Sequence, residues 1–72
     1  MPKNTIILQD VFLNLIRKDQ IMLDVHLIEG TKIRGFVKGF DNFTIIIRNE
    51  DSQVLIYKNA IALLAPDRPV LM

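Results

Sequence analysis

Few residues in this 72-residue chain can do chemistry, and their types leave few options open. There is one histidine, His26, and no cysteine. Neither a thiolate site nor a histidine cluster is therefore available to hold a metal. No nucleophile stands beside a base, no ligand cluster has metal-binding spacing, and no glycine-rich loop cradles a phosphate. The chain is accordingly not expected to be an enzyme, to carry a cofactor or to take a small-molecule substrate. What remains is recognition chemistry. The stretch Phe40-Asp41-Asn42-Phe43 puts an aromatic ring on each side of a tight turn. Asp and Asn suit that turn because both cap backbone groups and Asn tolerates a left-handed conformation. A core accounts for one ring. The second, Phe43, is either a core residue at the start of a strand or serves another purpose. The cations Lys32, Arg34 and Lys38 likewise form either an ordinary solvated strand face or a surface for an anionic partner.

The elements that must position these groups follow from hydrophobic periodicity. Apolar residues at Leu8, Val11, Phe12, Leu15 and Ile16 have the spacing of an amphipathic helix. Asp10 near its start and Arg17 and Lys18 at its end suit the helix dipole. After Gln20 the period changes to two. Ile21, Leu23, Val25 and Leu27 alternate with Met22, Asp24, His26 and Ile28, which predicts a half-buried strand. Glu29-Gly30 turns the chain. A second strand runs through Thr31–Phe40, with Ile33 and Val37 inward, and Gly35 within it implies a bend or a close backbone approach. Phe43–Asn49, Gln53–Lys58 and Ile61–Ala65 read as three further strands, the last stopped by Pro66. Five bent strands in about 45 residues suggest a small open barrel preceded by one helix. Its open edges must be covered or paired, and pairing edge to edge between copies gives a ring when the rotation closes.

Composition agrees with assembly. Half of the residues are hydrophobic and the mean hydropathy is +0.28. A domain this small buries only about 60% of the surface its unfolded chain exposes, so the apolar surplus points to burial between subunits. The net charge of +1 is weak, and any attraction for nucleic acid must come from cations gathered by geometry. No apolar run approaches the roughly 20 residues of a membrane span, and the first residues have too short an apolar run for a signal peptide. A cytoplasmic protein without membrane partners is expected. Residues 1–7 read as a flexible terminus, 8–69 as the domain and 70–72 as a short end without a long tail.

The segments "LQDVFLNLIRK", "GTKIRG", "GFDNFTIII" and "IYKNAI" resemble, in that order, the Hfq family of Sm-like RNA-binding proteins. The resemblance covers about residues 8–69. It implies an N-terminal helix on a strongly bent five-stranded open barrel. It also implies a homohexameric ring joined through the fourth and fifth strands, with single-stranded RNA on both faces. The function implied is that of an RNA chaperone, pairing small regulatory RNAs with messenger RNAs in post-transcriptional regulation and stress responses. On the helix-bearing face, Phe43 would stack on a uracil at the pore, Gln9 would hydrogen-bond a base, and Asn42 would sit beside the nucleotide. Lys58 would reach the base edge and backbone, and Tyr57 would support the subunit interface. Stacking suits unpaired RNA, and six pockets in a ring gain by avidity. On the opposite face, A-rich RNA would meet His26, Gly30, Thr31, Lys32, Ile33 and Arg34, with Gln53 from the fourth strand. At the rim, Asn14, Arg17 and Lys18 would form a basic patch for annealing.

Several positions depart from the family pattern. Asn59 replaces the histidine of its Tyr-Lys-His signature; an amide still donates and accepts hydrogen bonds but carries no charge. Arg34 stands where a glutamine often reads adenine, and it has no acceptor for adenine's amino group. His26 stands where an aromatic ring is common. Asp19 and Gln20 follow Lys18 in place of a longer basic run, which predicts weaker annealing than in members with three arginines. These departures motivate a second reading, in which the ring is mainly a protein-interaction scaffold with weakened RNA sites.

Overall fold

The computed structural model describes residues 8–71, so the expectation of a flexible terminus over 1–7 lies outside the described residues. Helix α1 spans Leu8–Lys18. It stops at Gln20, which adopts a left-handed φ of 53°. The Ile21 N–H donates to the Ile16 carbonyl at 3.0 Å and the Gln20 N–H to the Arg17 carbonyl at 3.2 Å. This is the helix-ending pattern usually given to glycine.

The buried face of α1 differs from the expected stripe. Leu13 and Ile16 are fully buried, whereas Leu8 is 68% exposed. Val11 and Leu15 are only half-buried. At 3.6 residues per turn, the buried face is rotated by roughly a quarter turn from the centre of the apolar stripe. The physical reason is that the stripe is wider than the contact α1 makes with its own sheet. The Leu13 side packs inward, and the Leu8–Val11–Leu15 side is left partly open.

Five strands follow: β1 (Leu23–Leu27), β2 (Lys32–Phe40), β3 (Thr44–Arg48), β4 (Gln53–Tyr57) and β5 (Ile61–Pro66), with a single 3₁₀ turn at Lys58–Ala60 before the last. All neighbours are antiparallel, in the order β4-β3-β2-β1-β5. The helix-plus-bent-sheet architecture expected from the sequence is the one observed. Pro66, read as a stop, is itself the last residue of β5, opposite Leu23; an edge strand tolerates a missing N–H.

Strand β2 changes partner along its length. Lys32 to Gly35 pair with β1, and Phe36 to Phe40 pair with β3. The sheet folds over at this change. Gly35 is required there, because a Cβ would lie 2.6 Å from the Arg48 carbonyl oxygen and 2.7 Å from the Ile47 Cγ2. A second irregularity lies between Val37 and Gly39, where Lys38 has no partner on β3. This bulge shifts the alternation. Val37 is buried, and Phe40, three residues on, also packs against the core. Leu13, Ile16, Ile21, Leu23, Val25, Val37, Ile45, Ile47 and Ile56 form that core. Both edge strands carry exposed apolar side chains: Leu55 and Tyr57 on β4, and Leu63 on β5.

Candidate nucleic-acid interface

The two rings of the Phe-Asp-Asn-Phe turn have different environments. Phe40 packs against the core, and the Lys58 ammonium lies 5.4 Å from its ring centroid. Phe43 is 75% exposed. Of the two readings left open for Phe43, the core residue is therefore excluded for the single chain.

The turn holds Phe43 outward by hydrogen bonds. One oxygen of Asp41, Oδ1, accepts from the Phe43 N–H, the Thr44 N–H and the Thr44 hydroxyl, each at 2.8 Å. These bonds favour the charged carboxylate. The Phe43 N–H bond contributes most, then the Thr44 hydroxyl and the Thr44 N–H, and together they hold the Asp41 carboxyl below its ordinary range. The Phe43 carbonyl in turn accepts from the Lys58 N–H at 2.8 Å. The turn and the 3₁₀ segment are thereby fastened together.

Asn42, Phe43, Tyr57, Lys58 and Asn59 line one cleft of about 360 Å³. Five of the six residues assigned to the pore face by resemblance thus meet within a single chain. The sixth, Gln9, lies in a separate apolar cleft with Leu8, Phe12 and Leu64. Its neighbour Asp10 ties the two regions together, with its carboxylate 3.7 Å from the Lys58 ammonium. Asp10 had not been singled out from the sequence. Its place in the first turn of the helix suggests, from the sequence, only a dipole effect.

The hairpin assigned to the other face is less uniform. His26 pairs with Lys32 across β1–β2 and with Leu63 across β1–β5. Gly30 takes the turn at φ 110°, its N–H donating to the Leu27 carbonyl at 2.9 Å, while the Thr31 carbonyl accepts from the Leu27 N–H at 2.8 Å. Ile33 is half-buried against the core. Arg34 is not a free cation: it lies 3.1 Å from Asp24 and 2.6 Å from Asp67. Its bonds to Asp67 and then to Asp24 raise its pKa further. Gln53 lies away from this hairpin, opposite Arg48 on β3 and beside the β3–β4 turn.

At the rim, the Asn14 amide oxygen accepts from Arg17 at 3.0 Å. Arg17 and Lys18 border a groove of about 470 Å³ together with Gln20, Phe36, Val37, Lys38 and Arg48. The last four residues had not been assigned to this site. The sequence marks Lys38 as one of three outward cations, with Lys32 and Arg34, and Arg48 as a residue within the third strand. Among the described residues, no group of three His, Cys, Asp or Glu side chains has a metal-binding arrangement, and no helix is long and apolar enough to cross a membrane.

Comparison with known proteins bears on this arrangement. The profile of the family described as "Hfq protein" matches residues 8–71. The RNA-binding protein Hfq of Carboxydothermus hydrogenoformans is 51% identical over 70 residues, 97% of this chain and 82% of its own length. That of Syntrophomonas wolfei is 53% identical over 72 residues, the whole of this chain and 88% of its own. A 1.55 Å crystal structure of "the pleiotropic translational regulator, Hfq" superposes with a TM-score of 0.79 at 25% identity, over 82% of this chain and 98% of that one.

Proposed function

Because the chain belongs to the Hfq family, we propose that it binds single-stranded RNA as a homohexameric ring and promotes the pairing of small regulatory RNAs with messenger RNAs in the cytoplasm. The observation that carries this reading is the outward Phe43 ring, 75% exposed beside Lys58 and two side-chain amides. An exposed ring rigidly held by its turn has no packing role in the single chain. It is suited to stacking on an unpaired base. Asn42 and Asn59 offer both donors and acceptors to the base edge or ribose. Lys58 supplies positive charge at the cleft, although Asp10 shares it.

Assembly is supported by the edges. Unpaired strands with apolar side chains are a liability in a monomer. Here β4 and β5 stand at opposite edges of the sheet, so β4 of one copy can extend β5 of the next. A head-to-tail contact of this kind closes into a ring when the rotation between copies divides a full turn. In such a ring the Phe43 clefts repeat around one face, and U-rich RNA gains by occupying several. A-rich RNA is assigned to the opposite face around His26, Gly30, Thr31 and Lys32. Arg34, held by two carboxylates, acts there by stacking or by orienting the hairpin rather than by reading adenine.

The testing experiment is a fluorescence titration with short oligo-U and oligo-A at moderate salt. Binding of oligo-U tighter than roughly ten micromolar supports the reading. Failure of both oligonucleotides would favour a protein-interaction scaffold instead.

A further inference from the structure

Leu23 and Val25 point into the core, so strand alternation turns Asp24 and His26 outward. Their register partners form two rows across β2, β1 and β5. One row is Lys32, His26 and Leu63; the next is Arg34, Asp24 and Ala65. The Asp67 N–H donates to the Met22 carbonyl at 2.9 Å, which sets Asp67 just past the second row. On that side, Arg34 borders a groove of about 660 Å³ with Met22, Phe36 and Arg48. Lys32, Arg34 and Arg48 are thus placed to form one positive track from the hairpin to the end of β3. Two carboxylates interrupt it. Asp67 takes both terminal nitrogens of Arg34, Nη1 donating to Oδ1 at 3.1 Å and Nη2 to Oδ2 at 2.6 Å. Asp24 Oδ1 accepts a further bond from Nη1 at 3.1 Å. Among the described residues, neither Lys32 nor Arg48 takes part in an ion pair.

Exposed ion pairs are usually weak, except where an arginine is gripped in bidentate fashion or the charges form a network. Arg34 has both. One cation between two carboxylates leaves negative charge in excess, so a phosphate meets repulsion where the track would continue. Repulsion aimed at the wrong ligand is a common source of specificity. Resting on the RNA-binding reading above, we propose that Asp24 and Asp67 are specificity-determining residues, which withhold Arg34 from phosphate and confine an RNA strand on this face to the Lys32–His26 row. Phe36 and Arg48 are then kept from the same strand. The Arg34 side chain is 48% exposed, and the flat face of its fixed guanidinium stays open to stack on a base. Sequence preference on single strands comes from differences in stacking strength. A free arginine gripping any phosphate would dilute that preference.

The test uses the full chain and two fluorescein-labelled RNAs, a short oligo-A and a mixed-sequence single strand without runs of A or U, followed by anisotropy across a salt series. Asp24→Asn combined with Asp67→Asn keeps the side-chain volumes and frees Arg34. The mixed RNA should then bind about fivefold tighter, the upper range for an exposed ion pair. The slope of log K against log salt should steepen by roughly 0.7, the value of one phosphate contact on a single strand. Oligo-A should gain less, because the fixed stacking plane is lost, so the preference for oligo-A falls. Asp67→Asn alone, which leaves Asp24 as a partner, should give a smaller gain. Adding Arg34→Gln to the double variant should abolish the gain, and oligo-U affinity should stay unchanged throughout. An unchanged slope in the double variant, an equal gain for oligo-U, or a gain that survives Arg34→Gln would overturn the proposal. A wild-type protein that binds neither oligo-A nor oligo-U would sink the RNA-binding reading and this proposal with it. Wild-type binding that ignores the substitutions would overturn this proposal alone.

Discussion

The Asp41 carboxylate accepts a hydrogen bond from the Phe43 N–H at 2.8 Å, and this bond sets the outward course of the ring. The same oxygen takes both donors of Thr44, so one carboxylate fixes the whole exit of the turn. Asp41→Ala should lower oligo-U affinity although the residue need not touch RNA. Asp41→Asn, which keeps an acceptor oxygen, should lose less. Equal loss in both variants would show that charge, not turn geometry, is what matters at this position.

The same carboxylate makes a pH prediction. Its folded pKa lies below the ordinary value of 3.8. A depressed carboxylate contributes stability that is fully present above the unfolded value and is lost as pH falls through the folded one. The turn should therefore be at full strength at neutral pH and weaken only below about pH 4. Thermal melts between pH 3 and pH 6 should show a smaller acid-induced fall in Tm for Asp41→Ala than for the unmodified chain. An identical fall in both would remove Asp41 from the acid transition.

Phe43→Ala should leave folding and assembly intact, since the ring is exposed in the single chain. It should weaken oligo-U binding by about 1–3 kcal/mol, the range for losing one base–aromatic stack. Oligo-A binding should barely change. Isothermal titration with both oligonucleotides checks this, and a mutant that binds oligo-U as well as its parent would leave the exposed ring without a function.

Asn59→His restores the residue that the family signature carries at an exposed position of the 3₁₀ turn. Oligo-U binding should tighten by roughly 0.5–1.5 kcal/mol, the net worth of a hydrogen bond. The gain should grow below about pH 6.5, where an ordinary imidazole becomes charged and attracts phosphate. Titration at two pH values reads the effect. A mutant that shifts oligo-U and oligo-A affinities together, or fails to assemble, would show that position 59 serves the subunit interface.

Two glycines of β2 provide a paired test of the fold. Gly35→Ala brings a Cβ to 2.6 Å from a backbone carbonyl, which cannot move without disturbing β3. A loss of about 1–3 kcal/mol is expected, as for other overpacked sites. At Gly39 a Cβ meets nothing within 4 Å, so Gly39→Ala should be neutral or slightly stabilising. Chemical denaturation of the two variants side by side decides the matter; equal midpoints would contradict the partner change at Gly35.

Much of this was legible in the sequence because local periodicity and local packing agreed. The alternation of Leu23 and Val25 with Asp24 and His26 survives intact, and Gly35 marks the close approach it implied. The face of α1 was not legible, because Leu13 joins the core only once the sheet is curved beneath it. The sequence left Phe43 open between core and surface, because the bulge at Lys38 decides which of the two turn rings faces inward, and a bulge leaves no periodic signal. Lys38 and Arg48 escaped as neighbours of the rim residues Arg17 and Lys18 for a related reason: they belong to two other elements and meet the end of α1 only through the pairing of Phe36 with Arg48. The tie between Arg34 and Asp67 joins residues 33 positions apart, beyond the reach of any local pattern.

The proposed function needs both an exposed Phe43 on each chain and an assembly that repeats it around a pore. Native mass spectrometry of the protein mixed with short oligo-U tests both halves at once. A six-chain ring carrying one oligonucleotide is expected, with the RNA lost and the ring kept in Phe43→Ala. An 8.3 kDa monomer, or a ring that takes up no oligo-U, would contradict it.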